Sequence, residues 1–286
     1  MKFVDVGGVE TRCILAGGET APPLILIHGL SLTADIWMRN IDALSRDFRV
    51  AALDMLGHGF TRPQDADGRI TVQDKVDHIL EFARAMGFER FSISGSSYGG
   101  LIAANLYLCA KEKVDKLVIN GSGSCFNTEA QLAAFLDRIH RTYRPLLAGS
   151  SPQDWRKLLE GTFHDPASIP AEIPHLLCLC YSQDWAVRCW ERTIDDMRDL
   201  PAFRQYRILE RLHEIDLPTL VVWGRNDKGG VYEEAVAAVA KMPNAKLVSI
   251  DNCGHLPMVE NPEICNEEVL RFLNEKTAAD ERVVTA

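Results

Sequence analysis

A serine lies between two glycines in the segment GSSYGG at residues 95–100, directly after a short apolar run. This G-x-S-x-G spacing is typical of a sharp turn from a strand into a helix, where the backbone is strained and the flanking positions have no room for side chains. Such a turn exposes the hydroxyl of Ser97 and points a helix N-terminus at negative charge that develops beside it. The motif therefore predicts that Ser97 is a nucleophile.

A serine nucleophile needs a general base and a carboxylate that orients the base. His255 follows an apolar strand-like run that ends at Ile250, and Asp227 follows another that ends at Trp223. Both residues would then lie in loops at the carboxyl edge of a sheet, where the active sites of open α/β folds are found. The chain order serine, acid, histidine fits a nucleophile on such a turn. We therefore predict a catalytic triad of Ser97, Asp227 and His255.

Acyl transfer also needs donors for the oxyanion of the tetrahedral intermediate. His28, Gly29 and Leu30 follow an apolar run, and we expect the backbone amides of Leu30 and Tyr98 to form the oxyanion hole. His28 is expected to hold this loop by a hydrogen bond, and it is also a candidate for substrate binding. Asp54 resembles a catalytic acid but precedes the serine in the chain, so we interpret it as turn structure.

The elements that must position these side chains alternate between strand and helix. Two β-patterned stretches at residues 3–6 and 9–15 predict an opening hairpin. An amphipathic helix follows the pair Thr71 and Asp74, which resembles a capping box. The repetition predicts an α/β fold with a doubly wound, mostly parallel, eight-stranded sheet. Apolar runs predict its buried parallel strands at residues 24–27, 50–53, 91–94, 116–119, 219–223 and 246–250.

The alternation stops after about residue 122. From residue 124 to residue 213 the chain shows helical patterns separated by prolines, and it carries three of the five tryptophans. We therefore expect a core at residues 1–123 and 214–286, with an inserted helical cap (lid) at residues 124–213. The apolar and aromatic content of this cap predicts a mainly apolar substrate pocket between cap and core, with Trp190 as a candidate for substrate binding. The polar ending from residue 275 is expected to fray.

The composition excludes several classes of protein. With 47% hydrophobic and 25% charged residues, the chain is expected to be globular and not disordered. A net charge of −9 without a basic block argues against a nucleic-acid partner. No stretch has the length of a membrane-spanning helix, no signal-peptide pattern is present, and the cysteines show no C-x-x-C spacing. We expect a cytoplasmic protein that acts on a small molecule without a metal or organic cofactor. The sequence leaves open whether the protein forms a homodimer.

Taken together, these motifs resemble the α/β-hydrolase superfamily. The resemblance covers nearly the whole chain outside the cap, and it implies a serine hydrolase that works through an acyl-enzyme. The residues that carry the resemblance are His28-Gly29, Asp54 with Gly57 and Gly59, Gly95-x-Ser97-x-Gly99-Gly100, Gly224 with Asp227, and Gly254-His255.

Within the superfamily the chain is similar to carboxylesterases and to meta-cleavage-product C–C hydrolases. The C–C hydrolases often carry a cap arginine for a substrate carboxylate, and Arg188 lies in a similar segment, so it is either a substrate ligand or a solvated or salt-bridged cap residue. Ser96 and the segment LSLT at residues 30–33 depart from the C–C hydrolase pattern beside the nucleophile, which favours an esterase. An acyltransferase and a ligand-binding receptor are alternatives on the same fold.

Overall fold

The structure, a computed structural model, describes residues 1–147 and 149–275. The ending that we expected to fray lies, from residue 276 onward, outside the described residues. Within the described ranges no helix is both long and apolar enough to cross a membrane. In this part of the chain eight strands form one sheet in the order β1-β2-β4-β3-β5-β6-β7-β8. The strands are β1 (Lys2–Val6), β2 (Val9–Ala16), β3 (Pro23–Ile27), β4 (Arg49–Leu53), β5 (Phe91–Ser96), β6 (Val114–Asn120), β7 (Thr219–Gly224) and β8 (Ala245–Ile250).

The sheet is mostly parallel. Strand β2 pairs antiparallel with β1 and β4, and the other neighbouring strands pair in parallel. The central strands are buried along almost their whole length, because helices cover both faces of the sheet. This explains why they read as continuous apolar runs. The predicted doubly wound, eight-stranded α/β fold is confirmed, and each predicted strand falls within an observed one.

The order of the strands reverses at the centre of the sheet. Strand β3 lies between β4 and β5, so the chain leaves β3 in one direction and continues past β5 in the other. In open α/β sheets, loops at such a reversal border a common crevice at the carboxyl ends of the strands. The loop from His28 to Leu30 follows β3 and Ser97 follows β5, so the topology brings these two segments together.

The helices begin where local sequence signals place them. At the start of the helix after Thr71, the Thr71 hydroxyl accepts a hydrogen bond from the amide of Asp74, and the Asp74 carboxylate accepts one from the amide of Thr71. The predicted capping box is therefore present. The α-helices of the described residues are α1 (Ile41–Leu44), α2 (Val72–Ala85), α3 (Tyr98–Cys109), α4 (Gly123–Phe126), α5 (Glu129–Tyr143), α6 (Pro152–Glu160), α7 (Glu172–Tyr181), α8 (Asp184–Arg198), α9 (Leu200–Phe203), α10 (Tyr232–Val239), α11 (Pro257–Glu260) and α12 (Pro262–Asn274).

The segment between β6 and β7 is helical. Its described residues form α4 to α9 and short 3-10 turns, without a strand. An aromatic cluster fills its interior: the rings of Trp155 and Tyr181 stack at 5.2 Å between centroids, and those of Tyr143 and Trp190 stack at 6.2 Å. Aromatic stacking of this kind adds stability beyond the burial of apolar area. The segment therefore has its own packed interior, built from α5 to α8.

Candidate active site

Ser97 lies on a strained turn between β5 and α3. Its backbone angles are φ 52° and ψ −121°, a conformation that residues other than glycine rarely adopt. A Cβ atom on Gly95 would collide with the carbonyl of Gly99, and one on Gly99 would collide with the carbonyl of His28. Only glycine fits at these two positions, which is the physical basis of the G-x-S-x-G spacing.

Groups at the end of β6 hold this turn in place. The amide of Ser97 donates a hydrogen bond to the carbonyl of Asn120 at 2.8 Å. The carbonyl of Ser97 accepts hydrogen bonds from the hydroxyls of Ser122 at 2.5 Å and Ser124 at 3.2 Å. Sequence reasoning did not single out Ser122 or Ser124, although hydroxyl residues directly after a buried strand are a signal that could have found them. These contacts stabilise a backbone conformation that is unfavourable by itself.

His255 joins Ser97 to Asp227. Its Nε2 lies 2.9 Å from the Oγ of Ser97, and its Nδ1 lies 2.9 Å and 3.0 Å from the two carboxylate oxygens of Asp227. The Asp227 side chain is fully buried, and its Oδ1 also accepts hydrogen bonds from the amides of Gly229 and Gly230. Because Nδ1 faces a carboxylate, it carries the proton, which leaves Nε2 as an acceptor for the Ser97 hydroxyl. The structure thus brings the three predicted triad residues together.

The environment of His255 favours its protonated form. Burial alone would lower the pKa of the imidazole, but the charge of Asp227 and the hydrogen bond from Nδ1 raise the pKa above its ordinary value of 6.5. A raised pKa makes Nε2 a stronger base toward a hydroxyl proton. The arrangement can therefore remove a proton from Ser97 and keep the resulting cation stable.

A half-buried carboxylate, which sequence reasoning missed, fixes the loop that carries His255. Glu260 accepts hydrogen bonds from the amides of Gly254 at 3.0 Å, Leu256 at 3.2 Å and His164 at 2.7 Å. Burial raises the pKa of Glu260, and the three amide hydrogen bonds oppose this shift. Because His164 belongs to the helical segment, Glu260 joins that segment to both sides of His255. The only sequence signal was an acid at the end of the short helix α11.

Two backbone amides near Ser97 are candidates for holding an oxyanion. Within the described residues, the amides of Leu30 and Tyr98 have no protein hydrogen-bond acceptor. Leu30 lines the same cavity as Ser97, and Tyr98 is the first residue of α3, where helical amides have no partner within the helix. Unpaired donors at a helix N-terminus suit an anion. The two residues predicted as the oxyanion hole therefore lie beside Ser97 with free donors.

His28 lies behind this loop. Its Nδ1 is 2.7 Å from the carbonyl of Gly29, and its Nε2 accepts a hydrogen bond from the amide of Met55 at 3.0 Å. Burial lowers the pKa of His28, so the ring is neutral near pH 7. Both nitrogens are occupied and the residue does not line the cavity at Ser97. The geometry agrees with the expected role in holding the loop, and it does not support His28 as a substrate ligand.

Asp54 connects segments of the core and does not reach the cavity. Its fully buried carboxylate accepts hydrogen bonds from the amides of Ala34 at 2.7 Å and Phe60 at 2.9 Å. It also pairs with the buried guanidinium of Arg12, 3.2 Å away, which contacts Asp35 as well. This environment fits the interpretation of Asp54 as turn structure.

A cavity of about 170 Å³ opens in front of Ser97 and His255. Its wall is mainly apolar and comes from both the core loops and helices α5 and α6. The apolar side chains are Leu30, Leu32, Phe135, Ile139, Tyr143, Leu158, Leu159 and Leu256. Polar side chains on the wall are those of Arg138, Thr142, Thr162 and Lys228. In the described part of the chain, no group of three or more His, Cys, Asp or Glu side chains is placed to hold a metal ion.

The two residues of α8 that we considered as substrate ligands lie elsewhere. Arg188 pairs with Asp67 at 2.6 Å on the outside of the protein and does not line the cavity. Trp190 is fully buried and donates a hydrogen bond from its indole to the hydroxyl of Ser31 at 2.7 Å. Residues two apart on a helix face nearly opposite directions, so a buried Trp190 turns Arg188 outward. The prediction that Arg188 or Trp190 binds substrate is therefore not supported, and no sequence signal indicated the orientation of α8.

Comparison with known proteins agrees with the class that the fold and the site define. A family model described as the alpha/beta hydrolase fold matches residues 22–262, so the chain belongs to the α/β-hydrolase family. It is an enzyme, an α/β-fold serine hydrolase. The expectation drawn from the sequence motifs is confirmed at this level.

Individual relatives carry out more than one reaction. The chain is 30% identical to the 2-hydroxy-6-oxo-6-(2'-aminophenyl)hexa-2,4-dienoic acid hydrolase of Metapseudomonas resinovorans, over 96% of this chain and 91% of that protein. It is 26% identical to carboxylesterase YbfK of Bacillus subtilis, over 95% and 86%. It also resembles the crystal structure of a serine hydrolase involved in carbazole degradation, with a TM-score of 0.80, 27% identity, and coverage of 95% and 97%.

Proposed function

We propose that this enzyme hydrolyses an ester of a small, mainly apolar acid through an acyl-enzyme on Ser97. One observation carries the proposal: His255 contacts the Ser97 hydroxyl at 2.9 Å and a fully buried carboxylate at 2.9 Å at the same time. This is the geometry that a serine nucleophile requires. The amides of Leu30 and Tyr98 supply the donors that the tetrahedral intermediate needs.

The proposed reaction has two halves. Ser97 Oγ attacks the ester carbonyl while Nε2 of His255 takes its proton, and the oxyanion is held by the amides of Leu30 and Tyr98. The protonated His255, stabilised by Asp227, then gives the proton to the leaving alcohol, and the acyl group stays on Ser97. A water molecule loses a proton to His255 and attacks the acyl-enzyme, which releases the acid and restores Ser97.

The lining of the cavity supports a small acyl group. Leucine, isoleucine and phenylalanine side chains from α5 and α6 form most of the wall, which favours hydrocarbon over sugar or nucleotide. A cavity of about 170 Å³ suits a short chain better than a long lipid tail. We infer a preference for short-chain or medium-chain acyl groups.

The second candidate is hydrolysis of a C–C bond in a meta-cleavage-type diketone. The relative in Metapseudomonas resinovorans, whose name describes a dienoic acid hydrolase, supports it at 30% identity. The same triad would serve, with a ketone carbonyl in place of the ester. The resemblance to the C–C hydrolases does not extend to Arg188, because this arginine pairs with Asp67 and does not face the cavity.

The test is a substrate panel. Wild type and Ser97→Ala are compared on p-nitrophenyl esters of increasing acyl length and on one vinylogous 1,5-diketone. We expect wild type to cleave the short esters fastest and Ser97→Ala to lose this activity. Faster turnover of the diketone than of any ester would instead select the C–C hydrolase. Ester cleavage that persists in Ser97→Ala would contradict the proposed nucleophile.

A further inference from the structure

Two basic side chains line the mouth of the cavity. Arg138 comes from α5 and Lys228 comes from the loop after β7, so they approach from two separate elements. Both line the cavity that contains Ser97 and His255. Both also line an outer groove that continues toward the start of α10. The two cationic side chains therefore lie where the inner cavity opens to solvent.

In the part of the chain that the structure describes, these two cations lack anionic partners. Within the described residues, the side chains of Arg138 and Lys228 form no ion pair and no hydrogen bond. The guanidinium of Arg138 lies 5.5 Å from the ring centre of Phe135, which also lines the cavity, so this contact keeps it at the wall. The other arginines of α5 to α8 have acceptors: Arg141 with the Asp137 carbonyl, Arg144 with Glu191, Arg156 with Glu160, Arg188 with Asp67, Arg192 with Asp195 and Arg198 with Asp137.

The carboxylates near the mouth do not neutralise this pair. Asp227 is fully buried and its oxygens are occupied by His255 and two backbone amides. Glu233 lines the outer groove but does not reach the inner cavity and forms no ion pair with either cation. In a chain with a net charge of −9, two unpaired cations beside the candidate nucleophile are an unusual concentration of positive charge.

We propose that Arg138 and Lys228 bind a carboxylate carried by the substrate, so that the preferred ester is anionic at the end that reaches the mouth of the cavity. This inference rests on the proposed ester hydrolysis and adds a substrate class to it. The apolar wall contacts the carbon chain, while the charged end stays at the opening, where it keeps part of its hydration. A guanidinium and an ammonium from two elements hold a carboxylate by charge-assisted hydrogen bonds.

The kinetic test uses matched pairs of esters. On the acyl side, mono-p-nitrophenyl adipate is compared with p-nitrophenyl hexanoate, which has the same chain length without the carboxylate. On the alcohol side, 4-carboxybutyl butyrate is compared with pentyl butyrate by following acid release. We expect wild type to prefer the anionic member of at least one pair. In Arg138→Met and in Lys228→Met, kcat/KM for that member should fall about three- to tenfold, with the neutral member changed less than about twofold.

Matched controls separate a local contact from a general effect of charge. Arg141→Met removes a cation from the same helix, and Lys241→Met removes an exposed lysine, and neither residue lines the cavity. Both control variants should keep the wild-type preference for the anionic ester. Rates are compared at a pH where the activity of each variant no longer changes with pH. An equal loss on both members of a pair, or the same loss in the controls, would overturn the proposal.

A binding measurement tests the carboxylate site without relying on catalytic turnover. Monomethyl adipate and dimethyl adipate are titrated by calorimetry into Ser97→Ala and into Ser97→Ala combined with Arg138→Met. The half ester should bind Ser97→Ala more tightly than the diester, and the second substitution should remove that difference. Equal binding of both compounds to Ser97→Ala rules out the carboxylate site. Hydrolysis that survives Ser97→Ala would refute the proposed function, and the titrations would still decide on the site.

Discussion

At the scale of single residues, opposing effects determine the pKa of His255. Burial lowers the pKa of its imidazole, the charge and hydrogen bond of Asp227 raise it, and the positive charge of Arg138 lowers it by a smaller amount. The result is a pKa above the ordinary value of 6.5, with the pair His255 and Asp227 acting as a unit. The base is therefore neutral and active only on the alkaline side of that pKa.

The dependence of activity on pH follows from these signs. With a neutral ester, kcat/KM should fall as pH decreases through the pKa of His255, because the protonated ring cannot accept the Ser97 proton. Arg138→Met removes a charge that disfavours the imidazolium, so the acid limb of the profile should move to higher pH. Asp227→Asn removes the charge that favours the imidazolium. The acid limb of the pH profile of any residual activity should therefore move to lower pH. If Arg138→Met did not shift the pH profile of kcat/KM, the side chains of Arg138 and His255 would not interact.

The raised pKa also has a consequence for stability. A histidine whose pKa is higher in the folded state stabilises the fold at low pH, below its unfolded value of about 6.5. That contribution is lost as pH rises through the folded pKa. His255→Gln should therefore lower the free energy of unfolding more at pH 5 than at pH 9, as measured by urea denaturation at both pH values. An equal loss at both pH values would contradict the raised pKa.

At the scale of elements, two buried aspartates at strand ends have different tasks. Asp227 follows β7 and orients His255, whereas Asp54 follows β4 and binds the amides of Ala34 and Phe60 together with Arg12. Chain order already distinguished the two in the sequence. The structure adds the reason, because the partners of Asp54 are Arg12 of β2 and two backbone amides of the core, and none of these residues lines the cavity at Ser97.

Isosteric substitutions separate these tasks. On the alkaline side of the His255 pKa, Asp227→Asn should change the unfolding midpoint little and lower kcat by about 10⁴-fold, since the imidazole loses the charge that orients it. Asp54→Asn breaks a buried ion pair and should lower the free energy of unfolding by roughly 3 kcal/mol while kcat stays within a few-fold of wild type. Denaturation and steady-state kinetics on both variants give the comparison. The reverse pattern would mean that the proposed acid is wrong.

The loop that carries His255 depends on α11. Glu260 accepts three amide hydrogen bonds through its two carboxylate oxygens, and glutamine has only one acceptor oxygen, so Glu260→Gln leaves at least one of these amides without its acceptor. We expect kcat to fall about tenfold with KM little changed, because His255 shifts relative to Ser97. Glu263→Gln, at an exposed position of α12, is the matched control. A variant that lost stability but kept wild-type kcat would limit Glu260 to a purely structural role.

At the scale of the whole molecule, the sequence predicted the sheet better than the helical segment between β6 and β7. Parallel strands buried on both faces are read directly as apolar runs, and the glycines around Ser97 follow from a local collision that any such turn must avoid. The helical segment between β6 and β7 offers no comparable signal. Its helices are amphipathic, and the direction in which each apolar face points depends on tertiary packing.

The unsupported prediction that Arg188 binds substrate shows how the orientation of a helix depends on tertiary packing. Arg188 and Arg138 both stand on amphipathic helices of the same segment, and nothing local distinguishes them. Packing of Trp190 against Tyr143 and its hydrogen bond to Ser31 turns Arg188 toward Asp67, while α5 brings Arg138 to the cavity. Glu260 was missed for a related reason, since its contact with the amide of His164, in the helical segment, exists only in the folded protein.

The most direct test of the central claim is the reactivity of Ser97. A fluorophosphonate probe reacts quickly only with a serine hydroxyl that a neighbouring base activates. Incubation of the native enzyme followed by peptide mass spectrometry should find one labelled serine, Ser97, and the labelling rate should fall strongly in Asp227→Asn and not in Asp54→Asn. Label on another serine, or label that persists in Ser97→Ala, would contradict the assignment of Ser97, His255 and Asp227 as the catalytic triad.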